Sequence, residues 1–158
     1  MIFEDIEKFK EKIGREGVIM ALDIGTKKIG IATSDFHQMI ATPQLLIHQK
    51  TLEEFFLSIQ EQIAQFQPKA LVIGLPINID DSESEMSQYV RKFTKNLDQF
   101  LMNFDILLLD ERFSTFEASL IIKENKKTKK KRKLIDKISA AVILRGFINT
   151  NSHLLPLS

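Results

Sequence analysis

The segment VIMALDIGTKKIGIAT, Val18 to Thr33, decides the fold. Its first five residues are an unbroken apolar run, which is typical of a strand that is covered on both faces. Asp23 to Thr26 then provide a turn, and Lys28 to Thr33 follow as the hairpin partner of the first strand. The segment therefore predicts a buried strand and an antiparallel neighbour at the start of a sheet.

Three more segments extend this sheet. Met39 to His48 predicts a third strand, and Pro43 within it suits an edge position. Ala70 to Ile73 and Asp105 to Leu109 are further apolar runs, and each follows a helical segment. Short crossover helices between apolar strands imply parallel pairing and helices on both faces. We therefore expect an α/β fold with a mixed sheet in the order βββαβαβα, which is the order of a ribonuclease-H-like domain.

Capping signals mark where the helices begin. Thr51 and Glu54 predict a capping box, and Ser82 with Glu85 predicts a second one. Two more helices are predicted further along the chain, at Phe116–Glu124 and Leu134–Asn149. We divide the chain into a helical extension at residues 1–17, the ribonuclease-H-like domain at residues 18–150 and a tail at residues 151–158.

The composition narrows the classes of site. The chain has 158 residues, 44% of them hydrophobic, which fits one globular domain. It has no cysteine and only three histidines, so disulfide scaffolds, thiolate zinc sites and cysteine nucleophiles are excluded. A metal would have to be a hard cation bound by oxygen. No segment resembles a secretory signal or a membrane span, so we expect a cytoplasmic protein without a membrane partner.

The charge is unevenly distributed. Lys126 to Lys133 reads KKTKKKRK and holds seven cations, so the rest of the chain has 22 − 7 = 15 cations against 21 anions. A cationic run on an acidic body suggests an anionic partner, with nucleic acid as the first candidate. The alternative is a solvated loop without a partner.

Acidic residues fall at three places that converge in an α/β fold. Asp23 directly follows the first buried strand, and Asp110 and Glu111 directly follow the third. Carboxyl ends of strands are where open α/β sheets bind ligands. Asp136 lies in the first turn of the last helix, on the face that also carries its core residues: Ala140, Ile143, Leu144 and Phe147. A carboxylate there needs a partner or a cation.

Each acid also has a structural interpretation. Asp23 could be an ordinary turn residue, and Asp136 could complement the positive end of its helix. Arg112 could form a structural salt bridge with Glu111 or Asp110. Taken together, however, convergent carboxylates suit Mg²⁺ or Mn²⁺, and paired ions of this kind assist phosphodiester cleavage.

Four segments carry a resemblance to a known family. They are ALDIGTKKIGIATSD (residues 21–35), LVIGLPINID (71–80), LLLDERFSTFEA (107–118) and KKKRKLIDKISAAVILRGFI (129–148). In this order and spacing they resemble the YqgF (RuvX) family, the pre-16S rRNA nucleases that are also described as Holliday-junction-resolvase-like. The resemblance implies a ribonuclease-H-like hydrolase that uses Mg²⁺ or Mn²⁺ and matures the 5′ end of precursor 16S ribosomal RNA.

The resemblance also implies the site residues. Asp23, Glu111 and Asp136 would be catalytic and bind the metal, with Asp110 as an alternative ligand. By the same resemblance, Thr26 and Arg112 would contact phosphate or orient the site. From their positive charge we also expect the following residues to bind the nucleic acid: Lys28, Lys129, Lys130, Lys131 and Arg132. One loop departs from the family, because Asp81, Ser84 and Met86 stand where glycines and a basic residue are usual. We expect this acidic loop to repel phosphate.

The sequence is also compatible with other functions. The Asp23 to Thr26 turn also resembles the phosphate loop of the actin, sugar-kinase and Hsp70 class, although that architecture needs two such domains. The chain could also be a Holliday-junction DNA resolvase, or a catalytically idle RNA-binding factor in ribosome assembly. The expected partners are precursor ribosomal RNA, or branched DNA in the alternative, and the small ribosomal subunit. A monomer or a weak homodimer is expected.

Overall fold

In this computed structural model, which describes residues 1–113 and 129–152, six strands form one sheet. The strands are β1 (Ile2–Phe3), β2 (Ile19–Ile24), β3 (Lys28–Ser34), β4 (Ala41–His48), β5 (Ala70–Leu75) and β6 (Asp105–Asp110). Their order across the sheet is β1-β6-β5-β2-β3-β4. The helices are α1 (Ile6–Ile13), α2 (Leu52–Phe66), α3 (Glu85–Leu101) and α4 (Lys129–Ser152), and Glu111–Phe113 form a 3₁₀ turn.

The sheet is mixed, as predicted. β2 pairs antiparallel with β3, and β3 with β4, whereas β2, β5, β6 and β1 run parallel to one another. From residue 18 onward the described elements follow the predicted order. β4 lies at the edge of the sheet, which confirms the position inferred from Pro43. This arrangement brings the carboxyl ends of β2, β5 and β6 to the same edge.

Two strands are longer than the apolar runs that predicted them. Asp23 does not follow the first strand but is its fifth residue, paired with Gly30 of β3, and Asp110 is the last residue of β6. The apolar run marks where the strand is buried on both faces, and backbone pairing continues beyond that point. The prediction that these acids directly follow their strands is therefore wrong by one or two residues.

Two helix starts can be compared with the predicted caps. The capping box of Thr51 and Glu54 opens α2, as predicted. For α3 the predicted box of Ser82 and Glu85 is wrong, because the cap is formed by Ser84 with Ser87. Ser82 is instead held in the preceding loop, where its backbone N–H donates to Asp80 Oδ1 at 3.0 Å.

The last helix begins five residues before the predicted start. α4 starts at Lys129, so Asp136 lies in the third turn and its predicted place in the first turn is wrong. The apolar stripe shows only where the helix meets the core, and lysine and arginine are good helix formers that extend it into solvent. Favourable interaction with the helix dipole is therefore no explanation for Asp136, since that effect fades beyond the first turn. The helix predicted at Phe116–Glu124 lies outside the described residues.

Helices cover both faces of the sheet, as predicted. One core lies between the sheet and α2 with α3, and includes Phe55, Phe93 and Leu22. The other lies on the opposite face, beneath α1 and α4. There the sheet presents several alanines, among them Ala21 and Ala32, and at these positions α4 can pack close to it.

The N-terminal residues contribute to this second core. α1 lies within the predicted helical extension at residues 1–17, and β1, which was not predicted, adds a parallel strand next to β6. The Phe9 ring packs edge-on against Phe147 of α4, with ring centroids 5.7 Å apart. None of the helices in the described parts of the chain combines the length and apolar character that a membrane span requires.

Candidate active site

Asp23 faces the side of the sheet that α4 covers. Ile19 and Ala21 of β2 belong to the core beneath α4, and alternation places Asp23 on the same side. Its side chain thus continues a row of buried apolar residues towards the end of the strand. A carboxylate in such a row is costly unless a cation or a hydrogen bond compensates for it.

Gly30 brings Asp23 and α4 together. It is the direct neighbour of Asp23 across the β2–β3 pair. A Cβ atom on Gly30 would lie 3.1 Å from the backbone oxygen of Asp136, 3.6 Å from Ala140 Cβ and 3.7 Å from Asp23 Cβ. A side chain at this position would push the helix away, so the bare backbone of Gly30 keeps Asp136 near Asp23.

Gly74 allows Glu111 a similarly close approach to the sheet. It lies in β5, between β2 and β6, and a Cβ atom there would lie 2.8 Å from Glu111 Oε1 and 2.5 Å from Ile143 Cδ1. Asp23 therefore stands one strand to one side of Gly74, and Glu111 extends over Gly74 from the other side. With neighbouring strands about 4.8 Å apart, the β2 and β6 backbones are separated by roughly 10 Å.

The three carboxylates interact electrostatically. The pKa of Asp23 is raised to about 6, first by burial and then by the negative charge of Asp136, while Lys28 acts in the opposite direction. The pKa of Glu111 is raised to about 7 by burial, then by the charge of Asp23 and that of Asp110. Asp23 is thus the central acid, because it interacts with both of the others.

Asp136 has a partner from the chain itself. The Lys28 ammonium group, at the start of β3, donates to Asp136 Oδ2. Lys28 was predicted to bind nucleic acid, and its ion pair with Asp136 was not anticipated. The two residues are 108 positions apart, so only the packing of α4 on the sheet reveals the contact.

Asp110 is directed to a different partner. Arg112 Nε lies 3.1 Å from Asp110 Oδ1, and its Nη2 lies 2.6 Å from Oδ2. Partial burial acts to raise the pKa of Asp110, but the hydrogen bonds and charge of Arg112 outweigh it and lower that pKa. Both oxygens of Asp110 are therefore engaged, whereas Glu111 faces the space above Gly74.

Arg112, a predicted nucleic-acid contact, also binds the acidic loop. Its Nη1 lies 2.6 Å from Asp81 Oδ1 and 3.4 Å from the backbone oxygen of Asn78. The pKa of Arg112 is raised by the hydrogen bonds that its guanidinium donates to Asp110 and then to Asp81. Sequence reasoning identified Asp81 only as a departure from the family pattern, and no local signal indicated that it would contact Arg112.

The remaining predicted nucleic-acid contacts flank these acids. Thr26 is exposed in the β2–β3 turn, where Gly25 N–H donates to the Lys28 backbone oxygen at 2.9 Å. Lys129, Lys130 and Arg132 are exposed in the first turns of α4. Arg132 is four residues before Asp136, so it shares its helix face and lies about 6 Å away along the axis. The side chain of Lys131 and residues 126–128 lie outside the described part of the chain.

The donor chemistry fits a hard divalent cation. Asp23, Glu111 and Asp136 offer only carboxylate oxygens, and their mutual repulsion is what a cation would relieve. Across residues 1–113 and 129–152, no three His, Cys, Asp or Glu side chains lie close enough together to hold a metal ion. The acids thus share one region of the α4-facing surface without forming a closed ligand cluster.

A family model and curated relatives both match almost the whole chain. The RuvX family model, described as Holliday junction resolvase, matches residues 17–150. A protein of Zymomonas mobilis named "Putative pre-16S rRNA nuclease" is 36% identical over 148 residues, covering 93% of this chain and 90% of the relative. A protein of Cereibacter sphaeroides with the same name is 37% identical over 150 residues, covering 94% and 93%.

Among solved structures, Thermus thermophilus RuvC in complex with a Holliday junction substrate aligns with a TM-score of 0.56. The alignment covers 85% of this chain and 95% of RuvC, at 10% sequence identity. At that identity the likeness concerns the fold alone. It confirms the predicted ribonuclease-H-like class, to which RuvC belongs.

Proposed function

The chain belongs to the RuvX family, described as Holliday junction resolvase, and we propose on this premise that it is a nuclease for structured RNA. Its substrate would be precursor 16S ribosomal RNA, cleaved so as to mature the 5′ end. The names of relatives that are 36–37% identical over almost the whole chain support this substrate. The actin-like alternative loses its basis, because the family match covers residues 17–150.

The observation that carries the proposal is the placement of the three acids. Asp23 and Glu111 approach Gly74 from two strands at one edge of the sheet, and Asp136 reaches the same region from α4. Burial and the negative charge of neighbouring carboxylates raise the pKa values of Asp23 and Glu111. Ionising these two groups is therefore unfavourable in the fold, and a site with a purely structural role gains nothing from that. Strained electrostatics of this kind is typical of a functional site.

Asp23, Glu111 and Asp136 would hold Mg²⁺ or Mn²⁺. The chemistry that such ions supply in phosphodiester hydrolysis is activation of the attacking water and stabilisation of the leaving oxygen. The role of the chain is to fix the three carboxylates on rigid elements, two at strand ends and one on a helix. Asp110 is the less suitable ligand, because Arg112 binds both of its oxygens.

The cationic groups would bind the substrate backbone. Lys129, Lys130 and Arg132 are exposed on the helix that carries Asp136, and Lys131 lies between Lys130 and Arg132 in the sequence. Thr26 and Arg112 flank the acids from the β2–β3 turn and from the end of β6. Contacts of this type position a nucleic acid without reading its sequence.

The test is a cleavage assay on purified protein. Precursor 16S RNA is incubated with and without Mn²⁺, and the product ends are mapped for wild type, Asp23→Asn and Asp35→Asn. Asp35 lies beyond the other end of β3, so its variant controls for the loss of one carboxylate. We expect Mn²⁺-dependent cleavage by wild type and Asp35→Asn and none by Asp23→Asn. Retained cleavage by Asp23→Asn would contradict the proposed role of this acid.

A second candidate is cleavage of branched DNA, which the description of the family favours. The same assay therefore includes a four-way DNA junction at equal concentration. Faster cleavage of the junction than of the RNA would replace the proposed substrate. Tight RNA binding without Mn²⁺-dependent cleavage of either substrate would identify an idle assembly factor. If the RNA is the substrate, the site of action is the cytoplasm, with the small ribosomal subunit as partner.

A further inference from the structure

Lys28 places a positive charge among the three acids. It is the first residue of β3 and alternates with Gly30 and Ala32, which face α4. Its ammonium group pairs with Asp136 Oδ2, and the Lys28 and Asp136 side chains are 43% and 28% exposed. Lys28 therefore occupies Asp136 Oδ2, and under the proposed function this carboxylate would bind a metal cation.

The charge of Lys28 also affects Asp23. It also acts on the pKa of Asp23, in the direction opposite to burial and to the charge of Asp136. Lys28 therefore partly neutralises a pair of carboxylates whose charges repel each other. Its neighbour Lys27 is exposed in the turn and is not paired with any described acid in an ion pair shorter than 4.0 Å.

A divalent cation and the Lys28 ammonium group would compete for Asp136. Lysine is a strongly hydrated point charge on a flexible four-carbon stem, so it can leave a half-exposed pair for solvent at low cost. If it stayed, the two positive charges would repel each other at close range. In either case the binding of a cation has to overcome Lys28.

We propose that Lys28 is the counter-ion built into this site: it holds Asp136 next to Asp23 before the metal arrives, and it must be displaced when a divalent cation binds. Lys28 thereby sets the affinity of the site for metal and acts as a positioning residue. The inference rests on the proposed function for the existence of a metal site, but the ion pair that carries it is independent of the substrate.

The test compares Lys28→Met with Lys27→Met, which removes the same charge one residue away. Mn²⁺ binding is measured by titration calorimetry, and thermal unfolding is followed in EDTA and in Mn²⁺, without any nucleic acid. We expect Lys28→Met to bind Mn²⁺ about three- to tenfold more tightly than wild type, the range for a partly exposed pair of charges. In EDTA it should unfold at a lower temperature, because the Asp23–Asp136 repulsion is no longer relieved, and Mn²⁺ should restore it.

Two further variants distinguish pairing from general charge effects. Lys28→Arg keeps the charge and should retain nearly wild-type Mn²⁺ affinity. In a background of Asp136→Asn, Lys28→Met should no longer tighten binding, because the two effects are coupled through one contact. Equal Mn²⁺ affinities for Lys28→Met and Lys27→Met would overturn this inference and leave the proposed function intact. Absence of Mn²⁺ binding in every variant and in wild type would overturn both.

Discussion

At the scale of single residues, Asp23 is placed where its charge is penalised. Burial raises its pKa to about 6, and the charge of Asp136 adds to the effect. A carboxyl group whose pKa is higher in the folded state than in the unfolded state destabilises the fold once it is ionised. The acid at the centre of the site should therefore reduce the stability of the protein.

We predict that Asp23→Asn increases the free energy of unfolding by about 1–3 kcal/mol at pH 7.5 in EDTA, as expected for a shift of about two pKa units. The amide has nearly the same shape as the carboxylate, so the change isolates the charge. Urea denaturation followed by circular dichroism measures the difference. A variant less stable than wild type would show that Asp23 is satisfied by the fold, contrary to a site that awaits a cation.

At the scale of elements, the β3–β4 turn contains Asp35, whose pKa is lowered by the fold whereas that of Asp23 is raised. Asp35 Oδ1 accepts hydrogen bonds from the backbone N–H groups of Met39 and Ile40, both at 2.8 Å. Desolvation acts to raise the pKa of Asp35, but hydrogen bonds from several backbone N–H groups, that of Ile40 first, outweigh it and lower that pKa. The ionised form therefore stabilises the turn.

We predict that Asp35→Asn lowers the free energy of unfolding at pH 7 by about 0.5–1 kcal/mol, a small value because the side chain is largely solvated. Since the folded pKa is lowered, the contribution is present above the unfolded pKa of about 3.9 and is lost as the pH falls through the lower pKa of the folded state. Urea denaturation of both proteins across pH 3–7 measures it. A difference that stays constant with pH would mean that charge does not hold the turn.

The loop before α3 restrains the side chain of Arg112. Asp81 binds the Arg112 guanidinium that was predicted to contact the substrate, and its backbone φ of 68° is one that asparagine also adopts readily. We predict that Asp81→Asn binds RNA about two- to fivefold more tightly than wild type in EDTA, because phosphate then meets Arg112 without a competing carboxylate. Fluorescence anisotropy at fixed salt measures the affinity.

The neighbouring acid provides the matched control for this loop. Asp80→Asn removes the same charge, but Asp80 contacts Ser82 and not Arg112. A gain of equal size in Asp80→Asn would attribute the effect to net charge. In an Arg112→Gln background, the gain of Asp81→Asn should vanish.

Local signals predicted most elements and failed at two helix starts, where neighbouring residues offered more than one possible boundary. The capping box of Thr51 and Glu54 was predictable because both partners lie within one turn. The cap of α3 was not, since Ser82 is held by the loop and Ser84 takes its place. Similarly, an apolar stripe shows which part of α4 meets the core, but the preceding lysines continue the helix without core contacts.

At the scale of the whole molecule, contacts between distant segments decide what the sequence could not. β1 has two residues, too few for any periodicity, and its place depends on pairing with β6 about one hundred positions later. The approach of Asp23, Glu111 and Asp136 to one region was predictable, because these acids stand at strand ends and on a core-facing helix stripe, and their role in the site stays a prediction. The ion pair of Lys28 with Asp136 and the contact of Arg112 with Asp81 follow only from the packing of complete elements.

The distribution of charge over the molecule determines how a polyanion would approach. Outside the run at residues 126–133 the chain has 15 cations and 21 anions, so a nucleic acid should be attracted mainly near the start of α4. This end of the helix is on the same side of the sheet as Asp23 and Glu111. α3, in contrast, packs on the opposite face and carries exposed Lys92 and Lys95.

We predict that Lys129→Gln/Lys130→Gln weakens RNA binding and flattens its dependence on salt, whereas Lys92→Gln/Lys95→Gln leaves both nearly unchanged. Each phosphate contact that is lost should reduce the slope of log affinity against log salt by about 0.7–0.9, so two contacts would remove about 1.4–1.8. Anisotropy titrations in EDTA at several KCl concentrations measure the slopes without cleavage. Equal changes in the two double variants would mean that RNA responds only to net charge. The start of α4 would then have no part in binding, and the substrate would have to reach the acids by another path.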